Sequence, residues 1–405
     1  MTSFQNPVSF QRQTPAHIIQ SDAEALEIAQ NLAEQFKAGA VQRDAQRLLP
    51  FQEIEAYSQS GLWAITVPKA YGGAEASSYT VAQVIALMSG ADGSIGQIPQ
   101  NHFYALEVLR NTGTEQQKRK LYAEVLNGAR FGNALAEFKT KTASQKQTSI
   151  LKKGAGFEIN GEKFYCTGSL FAHRIPTLVK DADGREFLAF IPRESQGLEL
   201  IDDWSGFGQR TTGSGTVKFS RVAVSAEDVI AFDTAFSEPT LVGPFAQLMH
   251  AAIETGIARA AFEETLARVR QARPWIDSGA DTAADDPLTK YELGRIIADV
   301  RASEVLLKQA ARAIDAARPQ PDAANIAKAS LDVAKVRAHS TETALKASSK
   351  LIELAGSRGS QRADGLDRFW RNARVHTLHD ASRWKYYFIA NFLLNGVLPP
   401  RRGTL

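Results

Sequence analysis

After Gly243 the chain is written almost entirely in one period. Apolar residues recur at helical spacing through residues 245–271, 288–318, 323–355 and 367–395. A helix with one apolar stripe must bury it, and four such helices in succession bury theirs against one another, so the pattern predicts a four-helix bundle. A polar stretch at residues 277–282 separates the first two. Alanine enrichment here follows from its helix propensity and carries no chemistry of its own.

The period changes upstream. Between residues 131 and 232 short β-prone runs take over, at 157–159, 163–166, 177–179, 186–191 and 216–219. Asn160-Gly161, Asp183-Gly184 and Gln196-Gly197 fall between them at hairpin-like spacing. Before residue 130 the pattern is helical again. Ser21 reads as an N-cap, with Glu24 three residues on to close a capping box. Ala25, Ile28, Ala29 and Leu32 follow at helical spacing, and Pro68 with Gly72-Gly73 breaks the apolar run 61–68. Further helical stretches at 81–88, 103–109 and 115–126 end at Asn127-Gly128. The expected fold is therefore α+β and mostly α. It has a helical domain at 1–130, a central β domain at 131–235 and a C-terminal four-helix bundle at 236–405.

Composition narrows the partners. A net charge of +3 is too small to argue for nucleic acid or a membrane surface, and no run approaches the ~20 apolar residues of a membrane span. The single cysteine, Cys166, cannot form an internal disulfide, which suits a reducing cytoplasm. The first seven residues carry no basic, apolar leader pattern.

Chemistry concentrates near the end of the chain. Two of the seven histidines, His376 and His379, stand three residues apart, and Asp380 follows. A helix through this stretch puts all three on one face, where they can hold an anion or move protons near neutral pH. The plainer alternative is a capped helix whose polar groups only pair with neighbours.

Four further stretches complete the sequence reading. They are Gly61-Leu62-Trp63 through Gly72-Gly73, Gly113-Thr114-Glu115-Gln116-Gln117, Asn160-Gly161-Glu162-Lys163 through Thr167-Gly168, and Val217 through Val224. With their order, the chain resembles the acyl-CoA dehydrogenase superfamily over nearly its whole length. The resemblance implies that family's fold and a homotetramer. Its dehydrogenases use a catalytic carboxylate in the C-terminal domain and a glycine-rich segment against FAD. Here His379-Asp380-Ala381-Ser382 replaces the usual Tyr-Glu-Gly-Thr, and the glycine-rich segment is reduced to residues 353–359. Asp380 is one methylene shorter than the usual base, and a base displaced by an ångström loses rate steeply.

His376 through Asp380, Gly132-Asn133-Ala134, Phe164 through Gly168 and Ala272-Arg273-Pro274-Trp275 are similar to another branch. This is the reduced-flavin monooxygenases typified by dibenzothiophene monooxygenase, together with bacterial sulfur-acquisition oxidoreductases. That resemblance implies FMNH2 delivered by a separate NAD(P)H:flavin reductase, a C4a-(hydro)peroxyflavin formed with O2, and oxygen transfer to a small organosulfur substrate. It implies catalytic roles for His379, His376, Asp380 and Asn133. It implies flavin contacts for Asn133, Ala134, Glu137, Phe138, Lys163, Tyr165, Cys166, Thr167 and His379, with Arg273, Ser357 and Arg358 toward the phosphate. Asn101 and His102 become the substrate-side residues. Two readings remain beside it: an FAD-dependent acyl-CoA dehydrogenase using Asp380, and a flavin-binding homologue without turnover. Read from the residues alone, Cys166 is a buried small side chain and His102 serves equally as a polar core histidine.

Overall fold

The computed structural model describes residues 15–138 and 146–404, so the leader reading lies outside the described residues. The first helices are α1 (Asp22–Gln46), α2 (Phe51–Gln59), α3 (Ser78–Ala91), α4 (Gly93–Gln97), α5 (Gln100–Thr112) and α6 (Glu115–Leu126). The Ser21 hydroxyl caps α1 by accepting from Glu24 N at 3.2 Å. The expected capping box is not closed, because the Glu24 carboxylate turns back to Gln20 N at 2.7 Å and to His17 Nε2 at 2.6 Å. The full box is at α6 instead. There Thr114 accepts from Gln117 N at 3.3 Å, and Gln117 accepts from Thr114 N at 2.9 Å.

Among the described residues, seven strands form one mixed sheet in the order β5-β6-β2-β1-β3-β4-β7. They are β1 (Ser149–Lys153), β2 (Gly156–Lys163), β3 (Arg174–Lys180), β4 (Glu186–Pro192), β5 (Leu198–Ile201), β6 (Thr216–Ser225) and β7 (Val229–Ala231). Three of these, β1, β5 and β7, are too short or too polar to stand out from a single sequence. Asn160-Gly161 is no hairpin turn. It lies inside β2, where the pairing with β6 slips between Ile159 and Gly161 and Gly161 takes φ +145°. Residues 164–166 do not continue the strand either, since β2 ends at Lys163 and Tyr165 turns left-handed at φ +59°.

The C-terminal helices are α7 (Val242–Val269), α8 (Pro287–Ala317) and α9 (Ala323–Leu354), followed by α10 (Asp367–His376) and α11 (Arg383–Asn395). The expected fourth helix is thus two. Over residues 376–380 the ladder tightens, with Leu378 N bonded to Val375 O at 3.2 Å and His379 N to His376 O at 3.0 Å. The Thr377 hydroxyl donates to Arg374 O at 2.9 Å and competes for a terminal carbonyl of α10. Among the described residues no helix is long and apolar enough to cross a membrane.

The bundle is tied to the first domain through α3 and α7, which approach closely at glycine. A Cβ on Gly256 would lie 2.1 Å from Ala86 O. Replacing an interior helical glycine by alanine gains about 1 kcal/mol of propensity. Overpacking against a fixed carbonyl costs about 1–3 kcal/mol, and the backbone of α3 cannot swing aside as a side chain can. Gly256→Ala is therefore expected to lower the urea unfolding midpoint, and Gly256→Val to lower it further. An unchanged midpoint in both would mean that the two helices slide apart freely.

Candidate functional site

Two polar faces converge around α4. The first belongs to the sheet domain. Residues 131–138 run beside β3, with Gly132 N bonded to Arg174 O and Ala134 N to Pro176 O, each at 2.9 Å. Between them Asn133 is locked by Ser169, whose hydroxyl accepts from Asn133 N at 3.0 Å and donates to Asn133 O at 2.8 Å. The Asn133 amide donates to Tyr165 O at 3.1 Å, while its Oδ1 is buried without a partner. The left-handed turn at Tyr165 points that carbonyl inward and throws the ring outward, at a cost of about 1–3 kcal/mol. The Tyr165 ring meets Phe164 at 4.7 Å, Phe138 at 6.0 Å and Trp204 at 6.2 Å. Together these rings make a half-exposed aromatic wall.

The second face is in the bundle. Glu254 of α7 and Arg337 of α9 form a fully buried ion pair. The glutamate also accepts from Ser340 Oγ at 2.8 Å and Thr341 Oγ1 at 2.9 Å. His376 joins it, with Nδ1 3.1 Å from Glu254 Oε1 and Nε2 3.0 Å from His250 Nδ1. The His250 ring lies against that of His379, centroids 3.9 Å apart. Asp380 is gripped from both sides, by Arg337 at 3.1 Å and Lys385 at 3.3 Å. Lys385 also donates to Thr404 O, and Gln247 to Gly403 O at 3.2 Å, so the end of the chain folds back over this cluster.

The protonation states follow from these contacts. Burial alone would raise the Glu254 and Asp380 carboxyls, but Arg337 beside both brings each below the usual range. Burial pushes His250 well down, helped by the neighbouring His379 and His376. It also lowers His376, against the pull of Glu254. His379 is open to solvent on one side although protein surrounds the rest of it. That crowding brings its imidazole down to about 4 against the pull of Asp380. Solvent access softens the fall, yet the direction leaves the ring neutral at neutral pH.

The two faces meet through the loop after β5. Gln209 N donates to Asn372 Oδ1 of α10 at 2.7 Å and Gln209 Nε2 to Gly93 O of α4 at 3.2 Å. The indole of Trp204 donates to Gln209 O at 2.9 Å. On the other side of α4, Ile98 O sits 3.2 Å from where a Cβ on Gly168 would stand. Only glycine, at φ +79°, permits that approach without strain.

Several residues expected at the site lie elsewhere or are already engaged. His376, His379 and Asp380 share no helical face, since α10 ends at His376. Tertiary contacts gather them instead. His102 is enclosed in the core, its Nε2 donating to Trp63 O at 2.8 Å and its Nδ1 accepting from Phe131 N at 3.1 Å. Burial pushes it down to about 3. It lines no open surface, whereas the neighbouring Asn101 is half-buried. Lys163 is wholly buried against Glu137 at 2.7 Å, and Glu137 spends its oxygens on Lys163, Gln147 N and Thr148. Ala134 and Cys166 are sealed in the sheet-domain core. The Thr167 hydroxyl is bonded to Ser214 Oγ at 2.6 Å.

Arg273, Ser357 and Arg358 are exposed in connections beyond α7 and α9. The 3.1 Å pair between Arg268 and Asp364 puts both connections at one end of the bundle. That end is about 25 Å along α9 from Arg337, so within one chain these residues do not join the histidine face. Sequence reasoning missed His250, Glu254 and Arg337. The one available signal was the four-residue spacing of His250 and Glu254 in the largely apolar first half of α7.

Comparison with known proteins matches the acyl-CoA dehydrogenase N-terminal domain at residues 23–129 and the acyl-CoA dehydrogenase C-terminal domain at residues 248–384. Dibenzothiophene monooxygenase of Rhodococcus qingshengii is 31% identical over 396 residues, covering 94% of this chain and 95% of its own. A probable FMNH2-dependent monooxygenase of Pseudomonas putida is 30% identical over 385 residues, covering 93% and 96%. Among solved structures, an FMN-bound dibenzothiophene monooxygenase from Paenibacillus sp. A11-2 superposes with TM-score 0.90 at 29% identity, covering 94% of this chain and 100% of that one. Methanesulfinate monooxygenase from Pseudomonas fluorescens gives 0.88 at 28% identity, covering 94% and 99%.

The buried histidines make stability depend on pH. His102, His250 and His376 are neutral in the fold and titrate below their unfolded value near ~6.5. A depressed histidine contributes stability that is complete above its unfolded pKa and is lost as pH falls toward the folded one. Stability should then hold from pH 8 to 7 and fall from about pH 6.5 downward, by about 1.4 kcal/mol per pH unit for each such histidine. Carboxylates, with unfolded values near ~4, contribute little to the loss above pH 5. Urea midpoints that stay level from pH 7 to pH 5 would contradict the assignment of neutral histidines.

Proposed function

The chain belongs to the acyl-CoA dehydrogenase family, and on that premise we propose that it is a two-component monooxygenase. It takes FMNH2 from a separate NAD(P)H:flavin reductase and transfers one oxygen atom of O2 to a small organosulfur compound. The observation that carries this reading is the state of Asp380. Where a dehydrogenase presents a free carboxylate to abstract a proton, this carboxylate is gripped by Arg337 and Lys385 and held ionised below its usual range. Such a group is a weak base, which argues against the acyl-CoA dehydrogenase alternative. In its place stands a neutral histidine pair. The named activities of the similar monooxygenases support the same class of reaction.

The chain's residues fit a flavin. The orphaned Asn133 Oδ1 is a buried acceptor awaiting a donor, and the wall of Phe138, Phe164, Tyr165 and Trp204 offers flat apolar surface beside it. Asn133 and the backbone at Tyr165 and Thr167 would hold the ring's polar rim. When bound, reduced FMN supplies the two electrons that let one oxygen atom reach sulfur and the other leave as water. Neutral His379 provides an N–H to hydrogen-bond and deliver a proton on the solvent-facing side. Asp380, fixed by its two cations, holds the turn that carries it. Asn101 is the half-buried amide left on the substrate side.

We assign the working assembly as a homotetramer in the cytoplasm, where NAD(P)H feeds the reductase. α11 supports the assembly, because it buries only Lys385 and exposes Trp384, Tyr387, Leu393 and Leu394. Arg273, Ser357 and Arg358 would then hold a flavin phosphate across a contact between copies, the guanidinium groups and the hydroxyl donating to it. Sedimentation should give a tetramer, and an active monomer would overturn the assembly.

His379→Ala should keep the fold and most flavin affinity, lose oxygen transfer by about 10²–10⁴-fold, and go on consuming O2 as released hydrogen peroxide. Product yield within a few-fold of wild type at equal flavin loading would make this face structural. FMN should also bind more tightly than FAD in a titration, given the reduced segment at 353–359. Reduction of bound FAD by an acyl-CoA would favour the dehydrogenase, and no turnover by either route the silent homologue.

A further inference from the structure

We propose that His250 is a positioning residue, its tautomer set by Glu254 through His376, and that His250 and His379 form one proton-holding pair. The proposal deepens the monooxygenase reading and rests on it only for the use made of the proton. The pair itself is a property of the protein without cofactor.

The hydrogen bonds leave one assignment open. Glu254 is ionised, so every bond to it must be donated: by Arg337, by the hydroxyls of Ser340 and Thr341, and by His376 Nδ1 at 3.1 Å. A neutral imidazole has one donor and one acceptor. His376 Nε2 is therefore the lone pair, and His250 Nδ1, 3.0 Å away, must carry the proton that lies between them. The far nitrogen of His250, Nε2, is then an unprotonated acceptor. Four residues separate His250 from Glu254 on α7, one helical turn, so His376 at the end of α10 bridges two side chains of the same face.

The ring of His250 in turn lies on that of His379, at 3.9 Å between centroids and 37° between planes. Two imidazolium charges at that distance repel strongly, so the stack accepts one proton and resists a second. The other titratable and charged groups around the pair are neutral His376 and, behind it, Glu254 on the buried side, Arg337 from α9, Asp380 from the turn and Lys385 from α11. Arg337 and Lys385 oppose any added proton, while Glu254 and Asp380 favour one. The geometry thus divides the labour: His379 faces solvent and takes the proton, and His250 beneath it stays neutral and sets the ring's position. A proton given up at His379 is replaced from the solvent it faces, while the chain from His250 through His376 to Glu254 fixes the ring stacked beneath it, much as a carboxylate orients the histidine of a catalytic triad.

Nitrogen-15 NMR of histidine-labelled protein, free of flavin, tests this directly. In wild type at pH 7.5 the shifts of His250 should report a protonated Nδ1 and a bare Nε2. The opposite tautomer would overturn the relay. As pH falls His379 should take up the first proton while His250 stays neutral. In His379→Gln the competing charge is gone, and His250 should titrate about one pH unit or more higher than in wild type. Because His379 sits on a solvent-open turn, this variant is expected to fold, with circular dichroism as the check. An unshifted His250 titration would refute the pair, even if wild type proves to be a monooxygenase. A shifted one beside an enzyme that transfers no oxygen would leave the pair standing and remove the functional reading.

Discussion

One buried ion pair holds much of this molecule in place. Glu254 and Arg337 are both wholly removed from solvent, and leaving either charge alone in that interior would cost several kcal/mol. Both carboxylate oxygens of Glu254 and both terminal nitrogens of Arg337 therefore constrain a neighbour. Arg337 reaches Asp380 and fixes the turn between α10 and α11. Glu254 collects two hydroxyls of α9 and the imidazole of His376. Three helices are set in register by a pair whose partners lie 83 residues apart in the chain.

On the proposed monooxygenase reading, the same pair accounts for how a fold shared with dehydrogenases turns to a different chemistry. Proton abstraction beside a carbonyl needs a carboxylate that is reachable and not already satisfied. Here Asp380, the carboxylate that the family resemblance puts at that place, is bound by two cations. What remains available is the imidazole of His379, kept neutral by its surroundings and stacked on His250. Neutral imidazole both donates and accepts, which suits a reaction whose product water needs protons delivered at neutral pH. In the sheet domain, the Asn133 acceptor and the aromatic wall around Tyr165 are held by a strained turn that apolar packing alone would not select.

The end of the chain closes the arrangement. Lys385 begins α11 as its only buried residue, and the tail past Leu398 returns so that Gly403 and Thr404 meet Gln247 and Lys385. The remaining face of α11, with Trp384, Tyr387, Leu393 and Leu394, looks outward. One helix thus buries charge on its inner side and presents apolar surface on its outer side, the reverse of an ordinary surface helix. An inward lysine is stable there because Asp380 waits for it.

The layout is legible along the chain: a helical start, a sheet between, and long alanine-rich helices after Gly243. These follow from periodicity and propensity, which are local properties. The sequence also pointed to His376, His379 and Asp380, which cluster within five positions, whereas Asn133 and Tyr165 came only through the family resemblance. It misjudged Asn160-Gly161, which a hairpin and a bulge use equally well, and it joined α10 to α11 because no proline or glycine marks residues 376–382. Tertiary structure alone decided the rest. His102, Lys163 and Glu137 were drawn into closed pairs, because burial forces polar groups to find partners wherever the fold offers them. His250, Glu254 and Arg337 became central because three helices converge on them. No local pattern encodes which distant side chain will satisfy a buried charge, so that choice belongs to the packing.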